Sequence, residues 1–236
     1  MSGRLIVFEG VEGCGKTTQL QRCHAWLARE GSPEWLQRLA AIPFSRQTEE
    51  LFPRIAALSF TREPGGTQLG LRLRQLLCED NVTIQDSAEL LLYAADRAQH
   101  VEEVLKPTLA SGAIILCDRY TDSTIAYQGY GRGLSLSLIH QLNSIATGGL
   151  ESNLTLWLDI DVELGLARTK NRGRLDRIEQ ADLEFHRRVQ QGYIELAKAH
   201  PQRIVRVDAN GSAENVQQQI QEILSQRFIE WELGRG

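Results

Sequence analysis

The segment FEGVEGCGKTTQ (8–19) restricts the fold more than any other, because a glycine-rich loop stands there between an apolar run and a helical pattern. Residues 10–17 match GxxxxGK[ST] in full. The glycines let the backbone curl so that its N–H groups point inward around an anion. A helix starting near Lys16 adds the positive end of its dipole. The segment therefore predicts a strand, a phosphate-binding loop and a helix in that order.

The rest of the chain continues this alternation of strands and helices. Short apolar runs predict five buried strands at 5–8, 57–60, 113–117, 154–160 and 203–207. Helical patterns lie at 16–30, 69–78, 86–106, 135–146, about 161–171, 181–199 and 213–231. Such alternation is typical of a parallel sheet covered by helices on both faces. We predict a single α/β domain over residues 1–236 with a five-stranded parallel sheet.

Composition restricts the partners and the compartment. The net charge of −4 argues against general affinity for nucleic acid or for anionic membranes. No apolar stretch approaches the ~20 residues that span a bilayer, and no signal-peptide pattern opens the chain. The scattered cysteines form no CxxC pair, and the histidines show no metal-ligand spacing. These observations predict a cytoplasmic protein with no nucleic-acid or membrane partner and no protein-bound zinc or iron site.

The phosphate loop predicts a nucleoside triphosphate as ligand. Lys16 is expected to reach the β- and γ-phosphates, and the Thr17 hydroxyl is expected to bind Mg²⁺. A plain glycine-rich turn is the structural alternative. The residues predicted to bind ATP are Gly10, Val11, Glu12, Gly13, Cys14, Gly15, Lys16 and Thr17.

Two further motifs follow predicted strands. In TREPGGT (61–67), Arg62 would stand at a strand's carboxyl end, where open α/β sheets bind ligands, although Pro-Gly-Gly is also simply a turn. In CDRYTDSTIAYQGYGRG (117–133), Asp118 occupies the place of the second Mg²⁺-linked carboxylate of P-loop enzymes. Arg119 beside it offers a phosphate-binding fork. These motifs favour a kinase that acts on a small phosphorylated acceptor.

A helical motif, LLLYAADRAQ (90–99), supplies an aromatic ring and a guanidinium on one face. Tyr93 and Arg97 are four positions apart and could stack on a base and hydrogen-bond its edge. A core tyrosine beside a surface arginine is the alternative interpretation.

Four segments together resemble the motif set of bacterial thymidylate kinases: FEGVEGCGKTTQ, TREPGGT, DRYTDSTIAYQG and RGRLDRIEQ. The resemblance runs from residue 4 to about residue 208. It implies a nucleoside-monophosphate-kinase fold and Mg²⁺-dependent phosphoryl transfer from ATP to dTMP, giving ADP and dTDP for dTTP synthesis. It also implies a homodimer.

The resemblance assigns roles around the acceptor. Glu12 would approach the deoxyribose 3′-hydroxyl, and Arg62 and Arg119 would hold the dTMP phosphate. Tyr127 would crowd the 2′ position and disfavour ribonucleotides.

For the base, the resemblance implies that Tyr93 stacks on thymine and that Arg97 reads thymine O4. Thr124 and Gln128 would complete the polar edge of the pocket.

The basic segment 168–179, which alone would be read as a solvated helix face, resembles the family's lid over ATP. One subgroup of the family carries a catalytic arginine in the phosphate loop, where this chain has Gly13. The resemblance therefore places the chain in the subgroup whose lid supplies that arginine, with Arg172 as the best candidate beside the catalytic Lys16 and Arg119. The neighbouring candidates are Arg168, Arg174 and Arg177.

Residues 31–56 depart from the family pattern, in which a short link joins the first helix to the second strand. We interpret them as a surface elaboration, with a subunit contact or a regulatory element as alternatives. Two other functions stay open: a deoxynucleoside kinase, and a non-catalytic P-loop nucleotide-binding module. The paired arginines argue against a deoxynucleoside kinase, because its acceptor is uncharged. The predicted second substrate site argues against a non-catalytic module.

Overall fold

The computed structural model describes residues 3–27, 58–79, 82–170 and 177–233. The predicted insertion at 31–56 lies outside the described residues, and so does the part of the predicted lid at 171–176.

One parallel sheet forms the centre of the described chain. Its strands stand in the order β2-β3-β1-β4-β5. They are β1 Arg4–Glu9, β2 Leu58–Arg62, β3 Ile114–Asp118, β4 Leu154–Asp159 and β5 Ile204–Asp208. The predicted five-stranded parallel sheet is confirmed, and every strand end lies within two residues of its predicted place.

The helices follow the strands in the predicted α/β alternation. They are α1 Lys16–Leu27, α2 Gln68–Arg74, α3 Asp86–His100, α4 Lys106–Ala110, α5 Thr121–Thr124, α6 Leu136–Thr147, α7 Val162–Lys170, α8 Leu183–Ala199 and α9 Ala213–Leu233. π-helical segments continue α2 at Gln75–Glu79, α3 at Val101–Leu105 and α5 at Ile125–Gly131. The helix that begins at Thr121 was not predicted.

The core lies on both faces of the sheet because successive strand residues point to opposite sides. In β1, Ile6 and Phe8 belong to one buried cluster, while Leu5 and Val7 belong to another. Both faces of this central strand are therefore covered, as expected for a buried parallel sheet.

The strand register brings the motifs together. Phe8 of β1 and Arg62 of β2 both pair with Asp118 of β3, so the carboxyl ends of three strands are level. The backbone N–H of Arg119 then donates to the Phe8 carbonyl at 3.0 Å. The phosphate loop, TREPGGT and the DRY segment thus leave the sheet at one edge. None of the described helices is long and apolar enough to cross a membrane.

Candidate active site

A cavity of about 600 Å³ lies beyond these strand ends. The phosphate loop lines one part of it, and residues of TREPGGT, α3 and the segment after β3 line another. The described site residues predicted from sequence that line it are Glu12, Gly13, Cys14, Gly15, Lys16, Thr17, Arg62, Tyr93, Arg97, Asp118, Arg119, Thr124, Tyr127 and Gln128. Gly10 and Val11 are not among the lining residues, and Arg172 lies outside the described part of the chain.

The loop has the backbone that the glycine pattern predicts. Gly10, Gly13 and Gly15 all have positive φ angles, and α1 begins directly at Lys16. The Lys16 ammonium donates to the carbonyls of Gly10 at 2.9 Å and Val11 at 3.2 Å. Backbone curvature and lysine position therefore concentrate positive charge inside the loop, which suits an anion.

Gly13 lies unusually close to another backbone. A Cβ at this position would lie 2.0 Å from the carbonyl oxygen of Gly165 in α7, and the φ of Gly13 is +74°. No side chain fits there without moving the loop or α7.

Thr17 and Asp118 form an oxygen-rich pair next to the loop. The Thr17 hydroxyl donates to Asp118 Oδ2 at 3.3 Å. Asp118 Oδ1 is buried, and none of the described residues donates to it. A hydroxyl and a carboxylate with an unused oxygen suit Mg²⁺, which is usually held by few protein ligands and by substrate phosphates.

Arg119 connects the loop to the part of the cavity that is predicted to receive the acceptor. Its guanidinium donates to the Gly10 carbonyl at 3.3 Å, to the Tyr127 hydroxyl at 3.0 Å and to the Glu12 carboxylate. Burial raises the pKa of Glu12, but Arg119 and Lys16 outweigh it and lower that pKa to about 2. Glu12 is therefore a carboxylate at neutral pH and partly neutralises the positive cluster.

Glu9 positions this segment and was missed by the sequence analysis. It is fully buried at the end of β1 and accepts from the backbone N–H groups of Tyr120 at 2.8 Å and Ser123 at 3.1 Å. The Tyr193 hydroxyl donates to it at 2.8 Å. Burial, followed by repulsion from Asp122, raises the pKa of Glu9. Its only sequence signal is an acidic residue that ends an apolar run.

Arg97 lies deeper than the sequence suggested. Its side chain is 2% exposed. Its Nε donates to Glu63 at 2.8 Å, and one terminal nitrogen donates to Thr124 at 2.8 Å and to Asn143 at 2.7 Å. The other terminal nitrogen donates to the Tyr120 carbonyl at 3.0 Å. The interpretation of a surface arginine is therefore wrong, and Arg97 is a buried, ion-paired residue at the cavity wall.

Glu63 extends this network and was also missed. Its second oxygen lies 2.8 Å from His100 Nδ1, and the other ring nitrogen of His100 lies 2.7 Å from the Thr61 hydroxyl. The network joins the end of β2 to α3. No spacing rule predicts it, because Glu63 and Arg97 are 34 positions apart.

The same part of the cavity is completed by Tyr93, Gln128 and Arg62. Tyr93 follows Glu89 by one turn of α3, and burial raises the pKa of its hydroxyl. The Gln128 side chain is 2% exposed and donates to Glu89 at 2.8 Å. Arg62 is exposed at the last position of β2 and lines the cavity.

The cavity extends past the loop to Arg168 of the predicted lid and to the segment after β5, which the sequence analysis did not identify as part of the site. Arg168 at the end of α7 donates to the carbonyls of Ala209 at 3.3 Å and Asn210 at 3.4 Å. The further lining residues there are Gly211, Ser212, Ala213 and Val216. This region follows β5, so a fourth strand end contributes to the cavity.

Comparisons with known proteins agree over most of the chain. A family model described as Thymidylate kinase matches residues 45–220. The thymidylate kinase of Trichodesmium erythraeum (strain IMS101) is 57% identical over 238 residues, which cover 98% of this chain and 99% of that protein. That of Nostoc punctiforme (strain ATCC 29133 / PCC 73102) is 60% identical over 227 residues, covering 95% and 96%. The crystal structure of thymidylate kinase from Ehrlichia chaffeensis has a TM-score of 0.71 at 30% identity and covers 95% of this chain and 100% of that one.

Proposed function

Because the chain belongs to the thymidylate kinase family, we propose that it transfers the γ-phosphoryl group of ATP to dTMP, giving ADP and dTDP. The observation that carries the proposal is one cavity in which a phosphate loop faces a pocket of arginines, an amide and an aromatic ring. Arg119 contacts groups of both parts. A non-catalytic nucleotide-binding module has no need of the second part.

On the donor side, the loop N–H groups and Lys16 would hold the ATP phosphates. The region after β5, with Arg168, would receive the nucleoside, because it continues the same cavity on the far side of the loop. The guanidinium of Arg168 already bridges α7 and that region.

On the acceptor side, Arg62 and Arg119 would bind the dTMP phosphate, which two guanidiniums can neutralise. Glu12 would face the 3′-hydroxyl, and Tyr127, which donates to Glu12 at 2.8 Å, would close the space at the 2′ position.

The thymine would lie between Tyr93 and the polar edge formed by Arg97, Thr124 and Gln128. In this arrangement Glu63 holds the Arg97 guanidinium in one orientation, since the bond between them is buried and charge-assisted. The Arg97 guanidinium would thus be oriented for the base before the substrate enters.

Thr17 and Asp118 would hold Mg²⁺ together with the ATP phosphates. When bound, the ion would neutralise part of the negative charge on the phosphates. The two oxygen atoms that would hold it, Thr17 Oγ1 and Asp118 Oδ2, lie 3.3 Å apart.

In the transfer itself, a dTMP phosphate oxygen attacks the γ-phosphorus, the bond to the β–γ bridging oxygen breaks, and ADP leaves with that electron pair. The acceptor oxygen is already anionic, so no strong protein base is required. Lys16 and Arg119 would stabilise the transferring group and align it with the acceptor. We assign Arg172 the role of an additional cation, although it lies outside the described residues.

A coupled ADP-release assay across nucleoside monophosphates and thymidine tests the proposal. We expect dTMP to give the highest kcat/KM, and a Lys16→Ala preparation purified in parallel controls for contaminating kinases. Preference for thymidine over dTMP would indicate a deoxynucleoside kinase. Nucleotide binding without turnover of any acceptor would indicate a binding module.

The proposal also keeps the single domain over 1–236, the homodimer, the cytoplasmic location and the absence of nucleic-acid and membrane partners. Light scattering and gel filtration of the full chain test the homodimer.

A further inference from the structure

A buried carboxylate lies behind the acceptor pocket. Glu89 stands in the first turn of α3, and its side chain is fully buried. The structure places three donor side chains against it, two of them guanidiniums and the third an amide. They are Arg132, Arg177 and Gln128.

The two guanidiniums pair with Glu89 as an ionised carboxylate. Arg132 reaches both carboxylate oxygens, with Nε 3.4 Å from Oε1 and a terminal nitrogen 3.3 Å from Oε2. Arg177 contacts Oε2 and is itself held by the Leu77 carbonyl, 3.2 Å from its Nε. An ion-paired carboxylate has only acceptor atoms to offer.

The charge of Glu89 determines the orientation of the Gln128 amide. The Gln128 atom 2.8 Å from Glu89 Oε1 must be the NH₂ group, because Glu89 has no proton to donate. The carbonyl oxygen of the amide is then the end left for a ligand. Gln128 lines the cavity, and no hydrogen bond to its Oε1 is made within the described part of the chain.

We propose that Glu89, held by Arg132 and Arg177, is a positioning residue that fixes Gln128 with its carbonyl oxygen toward the base and thereby selects a pyrimidine with an N–H at ring position 3. Thymine and uracil carry that hydrogen, whereas cytosine has a lone pair there and would face an acceptor with an acceptor. The inference rests on the proposed dTMP site and adds to it the physical origin of selection against cytosine.

The inference also gives Arg177 a role distinct from the one considered for the lid arginines. Its guanidinium is engaged behind the base pocket rather than at the phosphates.

Glu89→Gln tests the inference, because an amide can donate as well as accept and no longer forces one orientation on Gln128. We expect the ratio of kcat/KM for dTMP to kcat/KM for dCMP to fall by about tenfold or more, the size of one misplaced buried hydrogen bond. The matched control is Glu230→Gln, which removes an exposed carboxylate paired with Arg227 at 3.0 Å and should leave the ratio unchanged.

The ratio separates positioning from general damage. A folded Glu89→Gln protein that loses kcat/KM equally for both nucleotides, or keeps the wild-type ratio, overturns the inference. Should circular dichroism show that this variant is unfolded, Glu89→Asp retains the charge opposite both arginines but withdraws the carboxylate from Gln128. An unchanged ratio in that variant also overturns the inference, and a lowered ratio supports it. Failure of the proposed function would appear differently, as a wild-type protein that does not turn over dTMP.

Discussion

Arg97 illustrates how one residue serves both the fold and the site. It lines the proposed acceptor pocket, and it is also the partner of a buried carboxylate, Glu63. Removing one member of a buried ion pair leaves the other charge desolvated and uncompensated. We therefore expect an alanine at this position to affect stability as well as substrate selection.

For Arg97→Ala we expect a loss of about 3–5 kcal/mol in unfolding free energy, measured by urea titration. We also expect a rise in KM for dTMP that exceeds any rise for ATP. Adding Glu63→Gln should restore part of the stability because it removes the unpaired charge. A rise in KM for ATP alone would contradict the position assigned to Arg97.

Lys16 contrasts with Arg97, because among the described residues its ammonium bonds only to atoms of its own loop. Lys16→Ala should lower kcat by about 10²-fold or more with little change in thermal midpoint. Lys198→Ala, at an exposed surface pair with Glu195, is the control. Normal kcat in folded Lys16→Ala protein would refute the phosphate-loop role.

At the scale of elements, a hydrogen bond to Asp96 joins the turn after β2 to α3. The Oδ1 of Asp96 accepts from the Gly65 N–H at 3.0 Å, and the side chain is 1% exposed. Burial, with repulsion from Glu63, raises the pKa of Asp96 to about 6 from an ordinary value of 3.8. The folded state thus binds more protons than the unfolded state between these two pH values.

The contribution of Asp96 to stability is therefore complete below pH 3.8 and is lost as pH rises through about 6. Its size is on the order of 2–3 kcal/mol. Between pH 5 and pH 7, the free energy of unfolding measured with urea should fall less in Asp96→Asn than in the wild-type protein. The control is Asp208→Asn, which changes an exposed carboxylate and should show the same fall in unfolding free energy as the wild-type protein. An unchanged pH dependence in Asp96→Asn would show that Asp96 titrates normally.

The predicted lid offers a comparison between two of its arginines. Arg172→Ala should lower kcat by about 10³- to 10⁵-fold with little change in the Kd of either nucleotide, as for other arginines that act on a transferring phosphoryl group. Arg177→Ala should act mainly on dTMP, because Arg177 contacts Glu89 rather than the phosphate loop. Single-turnover kinetics on both variants measures the difference. A loss of kcat confined to Arg177→Ala would reverse these assignments.

How far the sequence predicts these elements depends on the range of the interactions. The loop at 10–17 and all five strands follow from local patterns, so they were predicted. The helix from Thr121 to Gly131 was missed because Glu9, more than 100 positions earlier, satisfies its first N–H groups. Glu63, Glu89 and His100 were missed for the same reason, since only the folded chain brings their partners together.

At the scale of the whole molecule, residues 31–56 lie between the end of α1 and the start of β2 and outside the described residues. Removal of residues 33–54 with a short linker should preserve dTMP phosphorylation, because the described sheet and cavity walls come from other segments. Circular dichroism, light scattering and the ADP-release assay check fold, assembly and activity. Loss of a dimer, or of activity in a folded protein, would refute a surface elaboration.

The close approach of Gly13 and Gly165 has an evolutionary consequence. Glycine codons can become arginine codons by a single base change, so the loop arginine of the other subgroup is genetically near. The packing excludes it, because the Cβ of any side chain at position 13 would lie 2.0 Å from the Gly165 carbonyl oxygen of α7. A protein with this packing could accept an arginine at position 13 only after α7 had moved, and a protein in which α7 had moved without that arginine would lose part of its cavity wall. Under the assignment of Arg172 proposed above, the close packing of the loop against α7 keeps the catalytic arginine outside the loop, and a single substitution at position 13 cannot move it there.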